Sequence, residues 1–136
     1  MPPLLPEEGQ TAALDFTVTA AEMALFQELS GDFSRIHTDP AFAEAHGFDA
    51  PIVYGGLMLA KLSAMLGEHL PGPRGISVSW SITYRKPLYV GEQAVLNFEI
   101  VSVSAATALV AGRYRIEVGT RLVAEGRTQS IVLAET

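Results

Sequence analysis

Strict alternation of apolar and polar residues in the second half of the chain is the feature that most limits its fold. In the segment ISVSWSITY, residues 76–84, apolar side chains occupy every even position and Ser or Thr occupies every odd one. A period of two residues is typical of a strand with one buried face. Similar segments follow at about 93–103, 108–118 and 121–133. Four closely linked strands of this kind predict an antiparallel sheet with one covered face.

The first half of the chain predicts mainly helices. Residues 12–18 could form a first strand, and the capping-box sequence Thr19-Ala-Ala-Glu22 then predicts a helix to about Leu29. Asp39-Pro40 combines an N-cap residue with a proline at the first helical position, which predicts a short helix ending near Gly47.

The longest helical segment, roughly residues 56–69, is the expected cover of the sheet. Lys61 and Glu68 are seven positions apart and share a face, which we assign to solvent. Ser63 lies about 200° around the helix from Lys61, so we predict that it is buried. A sheet wrapped around one mostly apolar helix makes this an α+β protein. A length of 136 residues predicts a single domain over residues 1–136.

Composition narrows the classes of function. The chain has 49% apolar and 18% charged residues with a formal net charge of −6, which predicts a compact protein and argues against nucleic acid as a partner. Without cysteine there is no disulfide or thiolate chemistry. His37, Asp39, His46 and Asp49 are of metal-ligand types, but they form no helical i, i+4 pair and Asp39 already has a capping role, so no metal is expected. The amino terminus lacks the pattern of a signal peptide, and the most apolar run is interrupted by Lys61, so we expect no membrane contact and a cytoplasmic protein.

Asp32 and His37 lie five positions apart in the segment SGDFSRIHTDPAF, residues 30–42, which fits neither a helical nor a strand period. Addition of water to a double bond needs one group that takes a proton from water and one that delivers a proton to carbon. A neighbouring Asp and His can share that work when their surroundings tune their pKa values. Spacing alone equally allows Asp32 to cap a turn and His37 to hydrogen-bond the backbone.

The glycine pair before the long helix also has two interpretations. Gly55 and Gly56 can serve only to admit a tight entry into the helix, or they can expose backbone N–H groups where negative charge is stabilised. Two adjacent glycines do not form a phosphate-binding fingerprint.

The run GDFSRIHTDP, residues 31–40, resembles the hydration motif of the MaoC-like dehydratases, which include the (R)-specific enoyl-CoA hydratases. That motif is Gly-Asp, typically Asn-Pro, an aliphatic residue and His, often followed by Asp-Pro. Downstream, PIVYG at 51–55 lies where the family usually has Pro-Ile-Val-His-Gly, and LPG at 70–72 and RKP at 85–87 follow in order. The resemblance covers nearly the whole chain and implies the hot-dog fold, a sheet wrapped around one long helix.

The resemblance also implies roles for individual residues. Asp32 and His37 match the pair that holds and activates water, with Asp32 as the expected base and His37 orienting the water and sharing proton delivery. Gly55 matches the glycine whose backbone N–H polarises the thioester carbonyl, and Ser63 matches a serine used near the site. The implied reaction is reversible syn hydration of a trans-2-enoyl thioester to an (R)-3-hydroxyacyl thioester, with a CoA or acyl-carrier thioester as substrate and no cofactor.

Three positions depart from the family pattern. Ser34 replaces the usual Asn, Arg35 the usual Pro, and Tyr54 the usual His before the glycine. The shorter Ser34 is expected to hold the loop differently, and Arg35 should favour the carboxylate form of Asp32 if the two are close. Tyr54 could narrow the acyl pocket or simply pack. Ser34 and Tyr54 are therefore included among the predicted substrate-binding residues.

Two other classes of function fit the same resemblance. A hot-dog thioesterase would direct water at the thioester carbonyl, and a non-catalytic acyl-thioester-binding subunit would bind without turnover. Hot-dog domains of this length usually pair through their sheets, so the resemblance also implies a homodimer.

Overall fold

The computed structural model describes residues 3–135, which form six strands and four helices. In chain order these are β1 (Thr11–Phe16), α1 (Ala20–Ser30), α2 (Arg35–Thr38), α3 (Pro40–Ala45), α4 (Gly55–Glu68), β2 (Gly75–Trp80), β3 (Thr83–Tyr84), β4 (Ala94–Val103), β5 (Leu109–Val118) and β6 (Arg121–Val132). The strands form one antiparallel sheet in the order β1-β4-β5-β6-β2, with β3 paired to the same edge of β6 as β2. No helix within this range is long and apolar enough to cross a bilayer.

Capping residues set the helix starts as the sequence predicts. Thr19 caps α1 through a capping box with Glu22, and the side chain of Asp39 accepts the backbone N–H groups of Ala41 and Phe42 at the start of α3. Pro40 occupies the first turn of α3, where its missing N–H costs nothing.

The core lies between α4 and one face of the sheet. Leu62 and Met65 of α4 are fully buried against the same cluster as Leu96, Ile116 and Val123 of the sheet. Each large aliphatic side chain removed from water in this way stabilises the fold by about 1.5–3 kcal/mol. The predicted packing of the long helix on the sheet is confirmed, and with it the α+β, hot-dog arrangement.

The segment at 76–84 differs from its prediction in two ways. Its apolar face is not half-buried, since Ile76 and Val78 are 53% and 54% exposed. The strand is also broken, because Ser81 and Ile82 lie between β2 and β3. The break is held by Tyr114, whose hydroxyl donates to the Ser81 carbonyl at 2.7 Å, and by the Ser81 N–H, which donates to the Arg127 carbonyl.

Candidate active site

Helix α1 ends at a glycine C-cap, Gly31, and Asp32 follows directly. Gly31 adopts the left-handed conformation after α1, φ 74°, and its N–H donates to the Gln27 carbonyl, which is a common way to end a helix. The Asp32 N–H donates to Ser30 Oγ at 3.1 Å, and Asp32 Oδ1 accepts the Ser34 N–H at 2.9 Å. A local Asx-type turn therefore fixes the half-buried carboxylate.

The Asp32 carboxylate is held in its ionised form. The hydroxyl and N–H of Ser34, and then the nearby His37, lower the pKa of Asp32 below its ordinary 3.8. Arg35 does not contribute as expected, because its guanidinium pairs with Asp39 at 3.0 Å and lies over the Phe42 ring. The sequence predicted that Arg35 would favour the carboxylate form of Asp32, but it is mainly Ser34 that lowers the pKa of Asp32.

His37 lies on the single turn α2, with its tautomer set by one hydrogen bond. Its Nδ1 is 2.8 Å from the carbonyl oxygen of Ile52. Because a carbonyl oxygen can only accept, Nδ1 carries the proton, and in the neutral ring Nε2 keeps its lone pair. The half-buried imidazole can therefore hold a water molecule or accept a proton through Nε2.

The two motifs recognised in the sequence are joined directly to each other. The Ile52 N–H donates to the Ile36 carbonyl at 3.0 Å, and the Tyr54 hydroxyl donates to the Asp32 carbonyl at 2.7 Å. The Tyr54 ring also stacks on the His37 imidazole, with ring centroids 4.1 Å apart. Burial, and then the charge of Asp32, raise the pKa of Tyr54, so it is a neutral hydrogen-bond donor.

Gly55 is the first residue of α4 and directly follows Tyr54. The first N–H groups of a helix have no intrahelical acceptor, and Tyr54 at the N-cap provides no side-chain cap. These amides form the positive end of the helix dipole. A methyl group on Gly55 would collide with the Tyr84 ring, and one on Gly56 with the Phe26 ring. The glycine pair thus combines close aromatic packing with an uncapped helix terminus.

Ser63 is not buried, contrary to the prediction. It is exposed on α4 and lines a groove of about 440 Å³ between α1 and α4, together with Leu25, Leu29, Trp80 and Gly56. The described residues that line this groove do not include Asp32 or His37. The prediction fails because Lys61, its reference point, does not face open solvent but pairs with Glu22 of α1.

Three contributors to the site were missed from the sequence. The carbonyl of Ile52 fixes His37, the Phe26 ring packs on Tyr54 at a centroid distance of 4.9 Å, and Tyr84 covers Gly55. The doubled glycine at 55–56 could have indicated close approach by large side chains. Nothing in the sequence identifies the carbonyl, since every residue has one.

The assembled side chains suit proton transfer to and from water. Asp32 provides an ionised carboxylate, His37 an imidazole whose Nε2 is unprotonated in the neutral ring, and the start of α4 provides N–H groups at the positive end of the helix dipole. Among residues 3–135, no three His, Cys, Asp or Glu side chains are grouped as a metal site would require.

Comparison with known proteins gives consistent matches. The family model described as MaoC like domain matches residues 4–121. The (R)-specific enoyl-CoA hydratase of Aeromonas caviae is 40% identical over 96 residues, which are 71% of this chain and 72% of that protein. The hydratase of the same name from Rhodospirillum rubrum is 30% identical over 128 residues, 94% of this chain and 89% of that protein. The solved structure of the A. caviae (R)-hydratase has a TM-score of 0.88 at 33% identity and covers 94% of this chain and 98% of that one.

Proposed function

Because the chain belongs to the MaoC-like dehydratase family, we propose that it catalyses the reversible hydration of trans-2-enoyl thioesters to (R)-3-hydroxyacyl thioesters. The observation that supports the proposal is that one side chain, Tyr54, contacts both Asp32, which is ionised, and His37, whose Nε2 is the unprotonated nitrogen of the neutral ring. A fold-level likeness alone would fit a thioesterase equally well, since hot-dog proteins host more than one chemistry.

In the proposed reaction Asp32 removes a proton from a water molecule that His37 Nε2 orients. The water oxygen forms a bond to C3 of the enoyl group as the C2–C3 double bond is lost, and its electrons move toward the thioester carbonyl. The Gly55 N–H stabilises the negative charge that develops on the carbonyl oxygen. A proton delivered to C2 through the Asp32–His37 pair completes the addition, so one water molecule is consumed and no redox step occurs.

The remaining predicted site residues take supporting roles in this proposal. Ser34 holds the Asp32 carboxylate, and Tyr54 contacts both members of the pair. Ser63 would lie along the acyl part of the substrate, because it opens into the apolar groove beside α4. The substrate is an acyl thioester of CoA or of an acyl carrier protein, and no cofactor takes part. Enoyl thioesters are intermediates of fatty acid metabolism, so we propose a role there; a cytoplasmic location is a separate proposal.

We further propose that the chain works as a homodimer. The strand β2 lies at the edge of the sheet with Ile76, Val78 and Trp80 exposed. An exposed apolar edge strand is a template for pairing with another strand. Two copies related by a two-fold axis would pair their β2 strands and cover these side chains. Sedimentation that returns only monomer at micromolar concentration would contradict this arrangement.

The test of activity follows the loss of enoyl-thioester absorbance when the protein is mixed with crotonyl-CoA. We expect turnover in the parent and a loss of about 100-fold or more in Asp32→Asn and in His37→Ala, since each removes a proton-transfer group. Asp15→Asn and His46→Ala are matched controls, because both residues are exposed and lie outside the site. Chiral analysis of the product should give the (R)-3-hydroxyacyl thioester.

Two outcomes would favour the other candidates. Release of free thiol from an acyl-CoA, without loss of the enoyl double bond, would identify a thioesterase. Binding of enoyl-CoA without turnover, with longer enoyl chains also tried, would favour a non-catalytic subunit. Activity that survives in both Asp32→Asn and His37→Ala would refute the proposed pair.

A further inference from the structure

We propose that Tyr54 is a positioning residue that holds Asp32 and His37 in their reactive arrangement. This inference rests on the proposed function, because it gives Tyr54 a purpose in the same chemistry. It goes beyond that function by assigning the geometry of the pair to one side chain outside it.

Tyr54 contacts both members of the pair at once. Its hydroxyl donates to the backbone carbonyl of Asp32 at 2.7 Å, and its ring stacks on His37 at a centroid distance of 4.1 Å and an interplanar angle of 26°. Phe26 of α1 packs on the same ring, and the Tyr54 side chain is only 2% exposed. A side chain that is so enclosed has little freedom to move, so it can fix what it touches.

Asp32 has few other connections to the body of the protein. Within residues 3–135, its other hydrogen bonds reach Ser30, the last residue of α1, and Ser34, in the loop that follows. The loop is largely exposed, with Phe33 at 65%. The hydrogen bond from the Tyr54 hydroxyl therefore connects the backbone of Asp32 to the start of α4. Gly55 is the first residue of that helix.

The stacking contact restrains the other member of the pair. The Ile52 carbonyl fixes the position of His37 Nδ1, but a single hydrogen bond tolerates tilting of the ring plane about Cβ–Cγ. A ring stacked on the imidazole face limits that tilt and so directs Nε2. Errors of about 1 Å in the placement of reacting groups can cost about 100-fold in rate, so a restraint on both groups has a measurable consequence.

Tyr54→Phe tests the hydroxyl while keeping the stacked ring. We expect kcat to fall about tenfold or more with KM changed less than about twofold, because the substrate contacts are kept and the reacting groups are misplaced. The matched control is Tyr114→Phe. Tyr114 is also 2% exposed, and its hydroxyl also donates to a backbone carbonyl at 2.7 Å, that of Ser81. The control should lose stability with kcat unchanged.

A rescue variant separates positioning from packing. Arg35 is the first residue of α2, where proline is favoured, and Ser34 before it has φ −61° and ψ 141°, the conformation that precedes proline. Arg35→Pro should therefore stiffen the loop by another route. We expect it to recover about threefold or more of the kcat lost in Tyr54→Phe, and to change the parent less than about twofold. No recovery together with an equal loss of kcat in Tyr114→Phe would overturn the proposal.

Amide hydrogen exchange gives a readout that needs no turnover. The amides of residues 32–39 should exchange faster in Tyr54→Phe than in the parent and be unchanged in Tyr114→Phe. If the parent does not hydrate enoyl thioesters but this difference is present, the proposed function fails while the positioning role stands. Unchanged exchange in Tyr54→Phe, or a retained kcat in an active parent, refutes the positioning role.

Discussion

The ion pair between Lys61 and Glu22 should carry a measurable, pH-dependent part of the stability. Lys61 Nζ of α4 lies 2.9 Å from Glu22 Oε2 of α1, and the two side chains are only 23% and 31% exposed. The other carboxylate oxygen, Oε1, accepts the Thr19 N–H in the capping box. Lys61→Met removes the ion pair together with the contact of Nζ with the Phe16 ring, 5.9 Å from its centroid, and Glu22→Gln removes the charge while Gln can still complete the capping box.

The magnitude follows from the separation and the exposure. At 2.9 Å the Coulomb attraction is about 1.4 kcal/mol in bulk water and about 6 kcal/mol at an effective dielectric constant of 20. Ordering the Lys and Glu side chains costs about 2 to 4 kcal/mol. Fully exposed pairs contribute about 0.2–1 kcal/mol. For a pair that is three-quarters to two-thirds covered, we expect a coupling free energy of about 1–2 kcal/mol.

Urea unfolding of the parent, both single variants and the double variant isolates this coupling. The hydrogen bond from Lys61, and then the Thr19 backbone, lower the pKa of Glu22 below its ordinary 4.5. The contribution of the ion pair to the free energy of unfolding is thus fully present above pH 4.5. It is lost as the pH falls through the lowered pKa of Glu22. We expect full coupling at neutral pH and a smaller coupling at the lowest pH, below 4.5, at which the protein is still folded. A coupling that is absent at the higher pH, or undiminished at the lower one, would refute the reasoning.

Three further predictions concern the site, the core and the sheet edge. Ser34→Ala should raise the pKa of Asp32 toward 3.8, so the low-pH limb of the hydration rate should move to higher pH; an unmoved limb would show that Ser34 does not tune the base. Leu62→Ala removes a fully buried side chain and should lower the free energy of unfolding by about 3 kcal/mol, measured in urea; a loss under about 1 kcal/mol would mean the core collapses around the gap. Ile76→Lys should shift sedimentation toward monomer, whereas Val90→Lys, at a similarly exposed position away from the β2 edge, should not.

Local signals predicted most of the helices and strands. Capping residues at Thr19 and Asp39 set helix starts that the structure confirms, because capping depends only on atoms within one turn. The alternation in β4 also predicted its buried face, where Leu96, Phe98 and Ile100 are at most 2% exposed.

The errors arise where distant residues decide the outcome. Alternation identified the apolar face of residues 76–84 but not whether anything in the same chain covers it. The break at Ser81 depends on Tyr114, which is 33 positions away. The burial assigned to Ser63 failed because Lys61 finds its partner on another helix. Period and composition carry no information about such partners.

The candidate site shows the same division between local and distant information. The motif predicted Asp32 and His37, and the local hydrogen bond from Ser34 is of a kind that sequence can suggest. The contacts of Tyr54 with both members of the pair could not be read from the sequence, since they depend on how residues 52–54 lie against the loop.

Gly112 and Gly126 of the sheet differ in how readily another amino acid could replace them in the course of evolution. A side chain at Gly112 would meet the end of the Phe98 ring, which a second substitution to a smaller residue could withdraw. At Gly126 it would meet the backbone carbonyl of Ser81, which no side-chain substitution can remove. Position 112 is therefore open to compensated exchange among descendants of this sequence. Position 126 is locked for as long as the sheet keeps its break at Ser81.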